Sequence, residues 1–180
     1  MRSTTADPLL VQLGSHRWLV SLLADLAAHR GARFVELVHR LGLPRDSLTR
    51  TLDAAATLGW VRRNPGHGHP LRPEYILTEA GMVAAARAAM IAEAQAAIGL
   101  RPGATTRWSL ALVAGISAGH DRFNALSRLL APATPRALSQ GLSALGERGL
   151  VRREVIDMRP PTSRYDLTQN GRLLAAACFT

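Results

Sequence analysis

Apolar residues in the first hundred positions recur at intervals of three and four. Trp18, Leu19, Leu22, Leu23 and Leu26 share one side of a helix, because such spacings return a side chain to the same face. Gly31 interrupts the pattern, and Phe34, Leu37, Val38 and Leu41 predict a second, shorter helix. Gly42-Leu43-Pro44 reads as a turn, with Pro44 suited to the first position of a third helix. That helix places Leu48, Leu52, Ala55 and Leu58 inward and is stopped by Gly59. Trp60-Val61-Arg62-Arg63 and Tyr75-Ile76-Leu77 predict two short paired strands. The stretch Asn64-Pro65-Gly66-His67-Gly68-His69-Pro70 between them is too rich in Gly and Pro to be helical. Thr78 then caps a fourth, Ala-rich helix opening at Glu79, well placed for the helix dipole, and reaching about Ile98.

The pattern then repeats. Moved back ninety positions, Arg107-Trp108 falls on Arg17-Trp18, Leu138 on Leu48 and Leu142 on Leu52. Gly149-x-Val151-Arg152-Arg153 likewise falls on Gly59-x-Val61-Arg62-Arg63, and Tyr165-x-Leu167-Thr168-x-x-Gly171 on Tyr75-x-Leu77-Thr78-x-x-Gly81. Arg122-Phe123-x-x-Leu126 matches Arg33-Phe34-x-x-Leu37 at a spacing of eighty-nine, a slip that loop insertions and deletions explain. One long-period repeat means two copies of a module, since a solenoid needs at least three short units. Helices are expected near 106–118, 121–130 and 135–148, a hairpin near 150–167, and a last helix after Thr168.

Three helices, a hairpin and a helix are the order of a winged helix-turn-helix. In the second copy Arg107-Trp108, Arg122-Phe123-Asn124-x-Leu126, Pro135-Arg136-x-Leu138-Ser139-Gln140, Gly149-Leu150-Val151, Pro160-Pro161 and Tyr165-x-Leu167-Thr168-x-x-Gly171 resemble the HxlR-type branch of bacterial winged-helix transcription regulators. The MarR type is the nearest alternative. The resemblance covers about 75 residues per copy. It implies a mainly α fold with small β-hairpin wings (α+β), built as two tandem winged helix-turn-helix domains by internal duplication. Family members usually carry one module and dimerise, so a tandem pair implies an intrachain pseudo-dimer, with further homodimerisation open. The expected division is an N-terminal arm at 1–14, domain 1 at 15–100, a linker at 101–104 around Arg101-Pro102-Gly103, and domain 2 at 105–180.

Composition adds an electrostatic argument. The net charge is +9, and every one of the 22 cations is arginine. Residues 1–100 hold eleven arginines against eight acids, and residues 101–180 hold eleven against five. A basic surface suits a polyanion, because each neutralised phosphate releases condensed counterions. Double-stranded DNA is the partner the module implies, with its third helix in the major groove.

Setting Leu138, Leu142 and Leu145 inward turns Arg136, Gln140 and Ser143 outward, with Ser139 beside them. Arg can pair bidentately with guanine and Gln with adenine. On the hairpin, Arg152, Arg153, Arg159 and Arg164 are placed to meet phosphates or a narrow minor groove. Gly141 stands where the resembled family usually carries a cation, and glycine inside a helix costs about 1 kcal/mol relative to alanine. In the first copy the same construction sets Asp46, Arg50 and Asp53 outward, with Arg45 and Thr49 to one side and Arg62, Arg63 and Arg72 on the hairpin. Two carboxylates facing phosphate repel it, so the first copy is the weaker reader. The two reading helices differ, which predicts an asymmetric DNA site with half-sites about one helical turn, roughly 10 base pairs, apart.

Other features carry less. Trp18 and Trp108 read first as core or inter-domain packing and second as the lining of a small-molecule cavity; a cleft between the copies is the default place for an effector. His67 and His69 lack a carboxylate or cysteine at ligand spacing, so no metal is expected. Cys178, the one cysteine, excludes an internal disulfide framework and reads as a small buried apolar residue. There is no glycine-rich phosphate loop, nucleophile elbow or paired catalytic acids, so the chain reads as a non-enzyme without cofactor. No apolar run approaches the roughly 20 residues of a membrane span and no secretory leader is evident, which predicts a cytoplasmic protein away from membranes. The function expected is a transcription regulator, a repressor responsive to a ligand. The other class left open is a small-molecule-binding or sequestration (resistance) protein that has kept the fold.

Overall fold

The computed structural model describes residues 5–65, 74–156 and 162–179. The first copy contains α2 (Leu19–His29), β1 (Ala32–Arg33), α3 (Phe34–Leu41), α4 (Arg45–Thr57), β2 (Val61–Asn64), β3 (Glu74–Leu77) and α5 (Glu79–Ala97), preceded by α1 (Pro8–Ser15). The second contains α6 (Ser109–Ser117), α7 (Phe123–Leu129), α8 (Pro135–Glu147), β4 (Val151–Ile156), β5 (Thr162–Leu167) and α9 (Gln169–Phe179). Every helix and both hairpins expected from the apolar spacing are present, within a few residues at each end.

Local chemistry sets the boundaries. Glu36 Oε2 accepts from the Arg33 N–H at 2.7 Å, which starts α3, and Gly42 ends it with φ +61, a backbone region that glycine enters without penalty. Pro44 stands at the N-cap of α4, one residue before the first helical position expected for it. At the start of α5 the Thr78 hydroxyl accepts from the Gly81 N–H at 3.0 Å and donates to the Gly59 carbonyl at 2.6 Å. Thr168 repeats this at α9, accepting from Gly171 N–H at 3.1 Å and donating to the Gly149 carbonyl at 2.6 Å. One hydroxyl therefore caps the helix and ties it to the turn before the wing.

The first wing is a three-stranded antiparallel sheet in the order β1-β3-β2, with Arg62 opposite Ile76 and Arg63 opposite Tyr75. The second is the β4-β5 ribbon, with Arg152 opposite Asp166 and Glu154 opposite Arg164. The third strand survives there as a single bridge between Arg122 and Arg164, at the place equivalent to β1.

Two differences from the sequence reading concern the N-terminal side. Residues 8–15, all but the last within the segment expected as an arm, are helical: Asp7 Oδ1 accepts from the Leu9 N–H at 2.9 Å and Pro8 takes the first position. Leu10 and Leu13 are fully buried, and α1 packs mainly on α6 of the second copy and less on α2 and α5. Trp18 and Trp108 were expected on the apolar faces of their helices, but each stands at the N-cap, one residue before the helix.

A single buried cluster runs through both copies, from Leu10 to Cys178. The Ala-rich α5 packs along α2 and also on α9, its own counterpart, where small side chains allow close approach. Arg87 on α5 donates to the Cys178 carbonyl, and Arg17 Nε donates to the Gly103 carbonyl at 2.8 Å. Gly103 lies against the Trp18 ring, and Gly14 lies beneath the Arg107 carbonyl. Each copy thus presses a glycine from its approach segment onto the Arg-Trp pair of the other. Among the described residues no helix is long and apolar enough to cross a membrane.

Candidate nucleic-acid interface

α8 begins at Thr134, whose hydroxyl accepts from the Ala137 N–H at 3.2 Å, with Pro135 as first helical residue. Leu138, Leu142 and Leu145 are buried at 0%, 5% and 1% exposure. Their burial fixes the rotation of the helix and leaves Arg136, Ser139, Gln140 and Ser143 exposed. Among the described residues α8 packs chiefly on α6, α7 and β4 of its own copy, which leaves this face exposed. Arg136 and Gln140 have no side-chain hydrogen-bond or ion-pair partner among the described residues, whereas the Ser143 hydroxyl donates to Glu147 at 3.3 Å.

Beside this helix the second wing forms the wall of a groove of about 400 Å³, lined by Ser139, Ser143, Glu147, Arg153 and Tyr165 among others. Arg152 and Arg153 are exposed, and Arg153 donates to the Ser163 hydroxyl through Nε at 3.0 Å and Nη2 at 2.8 Å, which holds its guanidinium across the ribbon. Arg164 is engaged otherwise. Its Nε lies 2.9 Å from Asp121 and 3.8 Å from Asp166, so two carboxylates already neutralise the cation that the sequence suggested for phosphate. Arg159 and Arg72 lie outside the described residues, as do His67 and His69.

Gly141 does not belong to the outer face. It is buried, and a Cβ there would stand 2.8 Å from Leu112 Cδ1. Its counterpart Thr51 is buried too, its hydroxyl turned back to the Ser47 carbonyl at 2.7 Å. The small residue lets α8 sit close to α6, which accounts for a glycine within a helix.

In the first copy Leu48, Leu52 and Ala55 are buried at 0%, 3% and 0%, and Arg45, Asp46, Thr49, Arg50 and Asp53 are exposed on α4. The side chains of Arg45, Thr49 and Arg50 fold back. The Arg45 guanidinium lies over the Phe34 ring at 5.9 Å, Arg50 Nε donates to the Asp46 carbonyl at 3.3 Å, and the Thr49 hydroxyl donates to the Arg45 carbonyl at 3.0 Å. Arg62 and Arg63 stand exposed on β2. Asp46 and Asp53 are thus exposed on α4, whereas the stretch of α8 from Arg136 to Ser143 carries no acid.

The two tryptophans have different surroundings. Trp108 is nearly buried, with Arg107 over its ring at 5.1 Å. It borders a hollow of about 410 Å³ with Thr134, Ala137, Gln140 and Gly141. Trp18 is half-buried beneath Arg17 at 4.9 Å and is packed on Gly103. Sequence reasoning missed Asp121, the acid that engages Arg164; only the pairing of β5 beside residues 121 and 122 brings it there. Among the described residues no group of three or more His, Cys, Asp and Glu side chains could hold a metal ion.

Comparison with known proteins agrees with this architecture. The family described as HxlR-like helix-turn-helix matches the chain twice, at residues 13–97 and 104–179. An uncharacterized HTH-type transcriptional regulator of Mycobacterium tuberculosis (strain CDC 1551 / Oshkosh) is 38% identical over 71 residues, 39% of this chain and 44% of the relative. The uncharacterized HTH-type transcriptional regulator YvaP of Bacillus subtilis (strain 168) is 35% identical over 69 residues, 38% of this chain and 64% of the relative. Each alignment therefore spans less than two thirds of the relative, and about the length of one copy. No solved structure matches the chain.

Proposed function

The chain belongs to the HxlR-like helix-turn-helix family, with the module present twice, and on that premise we propose that it is a DNA-binding transcription regulator, acting as a ligand-responsive repressor. The reading units are residues 15–100 and 105–180, joined by 101–104, and they act as an intrachain pseudo-dimer. The observation that carries this reading is the uncovered outer face of α8, with Arg136 and Gln140 exposed beside a wing that offers Arg152 and Arg153.

In this reading Arg136 and Gln140 meet base edges, Ser139 and Ser143 border them, and Arg152 and Arg153 meet phosphates. The first copy contributes through Arg62 and Arg63 on its wing, while Asp46 and Asp53 weaken its helix as a reader. The operator is accordingly asymmetric, its two halves about one helical turn, roughly 10 base pairs, apart. Repression follows from occupancy of a promoter, and relief from a ligand that changes the relation between the copies.

The test is selection of bound genomic fragments, followed by a salt titration on the best fragment and on random duplex. Six or more phosphate contacts lower affinity about a thousandfold between 50 and 200 mM salt. A chain that binds no DNA at low salt is not a regulator of this kind, and the sequestration reading would replace it.

A further inference from the structure

The outer face of α8 has a hollow on each flank. Ser139, Ser143 and Gly146 border the groove beside the second wing. Ala137, Gln140 and Gly141 border the other hollow, which Thr106, Arg107 and Trp108 also line. Helical spacing turns the first set to one side of Arg136 and the second set to the other. The wing flank carries the exposed Arg152 and Arg153, but Glu147 also lines its groove. Among the described residues no acid lines the opposite hollow, and the cation there is Arg107.

Arg107 is exposed, and its guanidinium lies over the Trp108 ring at 5.1 Å. Trp108 is nearly buried, so the stack rests on a fixed surface. Among the described residues the Arg107 side chain has no hydrogen-bond or ion-pair partner. Stacking uses the face of a guanidinium and leaves its in-plane N–H groups free, the edge that pairs bidentately with phosphate. The equivalent Arg17 is stacked as well, 4.9 Å from the Trp18 ring, but its Nε donates to the Gly103 carbonyl at 2.8 Å. The first copy thus turns towards the linker the edge that the second leaves open.

A helix seated in the major groove, about 12 Å wide, has a sugar-phosphate backbone on either side. In the proposed function the wing cations meet one of them. We infer that Arg107 contacts the other: the hollow between the start of α6 and α8 receives the second backbone, and the guanidinium stacked on Trp108 holds one of its phosphates. This contact rests on the proposed reading of DNA by α8 and adds to it the lie of the helix. α8 crosses the groove between two cationic edges, with Gln140 on the Arg107 side. A phosphate contact carries no sequence preference of its own, and it belongs to the second copy alone.

The test uses the full chain with a duplex selected from bound genomic fragments and with random duplex. Arg107→Gln keeps a stem over Trp108 and removes the charge, Arg107→Lys keeps the charge, and Arg17→Gln is the control from the first copy. Arg107→Gln should bind both duplexes several-fold more weakly and lower the salt slope by about one. Between 50 and 200 mM salt it should therefore lose about threefold less affinity than the wild type. Arg107→Lys should recover the slope, and Arg17→Gln should leave it unchanged. Ethylation interference on the selected duplex gives the side. Arg107→Gln should become indifferent to ethylation of a phosphate across the groove from the one released by Arg152→Ala. An unchanged slope for Arg107→Gln, equal slopes for the Gln and Lys variants, a slope lowered equally by Arg17→Gln, or release of a phosphate on the wing side would overturn the contact and leave α8 as reader. If Arg107→Gln fails to fold, the wild-type interference pattern decides: phosphates on both sides of the groove are expected, and phosphates on the wing side alone overturn the contact. A wild-type chain that binds neither duplex refutes the regulator function, and this contact with it.

Discussion

The carbonyl oxygen of Trp60 occupies the space where a side chain on residue 81 would begin, so only glycine lets α5 start against the wing. Leu150 and Gly171 repeat the arrangement at α9. The obstacle is backbone on both sides, which has little freedom to yield. Gly81→Ala and Gly171→Ala should each lower stability by about 3 kcal/mol, the upper end for overpacking a filled space. Denaturant unfolding should show the midpoint falling in both variants with the slope unchanged.

Gly146 and Gly141 lie on the same helix and should respond in opposite ways. Gly146 is exposed, and the nearest atom to an added Cβ, the Val151 carbonyl oxygen, is 3.8 Å away. Gly146→Ala should therefore stabilise the protein by about 0.5–1 kcal/mol, the helix-propensity difference. Gly141→Arg, which introduces the cation usual at that place in the family, should instead destabilise by about 2 kcal/mol or more, because its stem would begin against Leu112. If melting shows Gly141→Arg unperturbed and DNA affinity raised, the assignment of Gly141 to the packed face is wrong.

The surface of α8 and its wing predicts a division of labour. Arg136→Ala should weaken the selected sequence by about 1–3 kcal/mol and leave random duplex nearly unchanged. Arg152→Ala should weaken all sequences alike and lower the salt slope by about one. Arg164→Ala should act mainly through the wing, because Asp121 and Asp166 already balance its charge. Gel-shift titrations of the three variants on both duplexes separate these outcomes; equal, sequence-blind effects of Arg136→Ala and Arg152→Ala would exclude α8 as the reader.

On α4 the acids should act against binding. Replacing Asp46 and Asp53 together by Asn removes two negative charges from an exposed face, and affinity for random duplex should rise several-fold at low salt. Unchanged affinity would mean that α4 does not approach DNA.

Cys178 is fully buried, and burial pushes its thiol up to about 12 against the partial opposition of Arg87. Thiolate is the reactive form, so the native protein should resist a thiol reagent at pH 8, with one equivalent reacting after denaturation. The folded thiol holds its proton more tightly than the unfolded one. Its contribution to stability is therefore complete below the ordinary thiol range near 9 and is lost as pH rises towards about 12. Cys178→Ala should flatten that part of the stability profile; rapid labelling of the native chain would contradict this burial.

Much of this architecture was legible because each element carries its own signal. Leu138, Leu142 and Leu145 fix the face of α8 by spacing alone, and Thr78 with Gly81 marks a helix start. What escaped depends on distant partners. α1 has a capping Asp7 and a leading Pro8, signals sufficient to suggest a helix, but the surface that buries it lies about a hundred residues further on, in α6. β1 is two residues long and exists only by pairing with β3. Gly141 looked like a missing cation because spacing gives the rotation of a helix but not how near its neighbour lies. The neutralisation of Arg164 arises because β5 meets the residues just before α7 in space.

α5 and α9 meet as counterparts on one polypeptide. In an assembly of two identical chains, any substitution is duplicated across the symmetry axis, so a change that improves one half-site must be tolerated at its mirror image. Here each half can be altered singly. The second copy is supplied at a fixed ratio of one to one whatever the cellular concentration, so association is not diluted away when few molecules are present, and under the proposed function no mirror constraint would force a palindromic target.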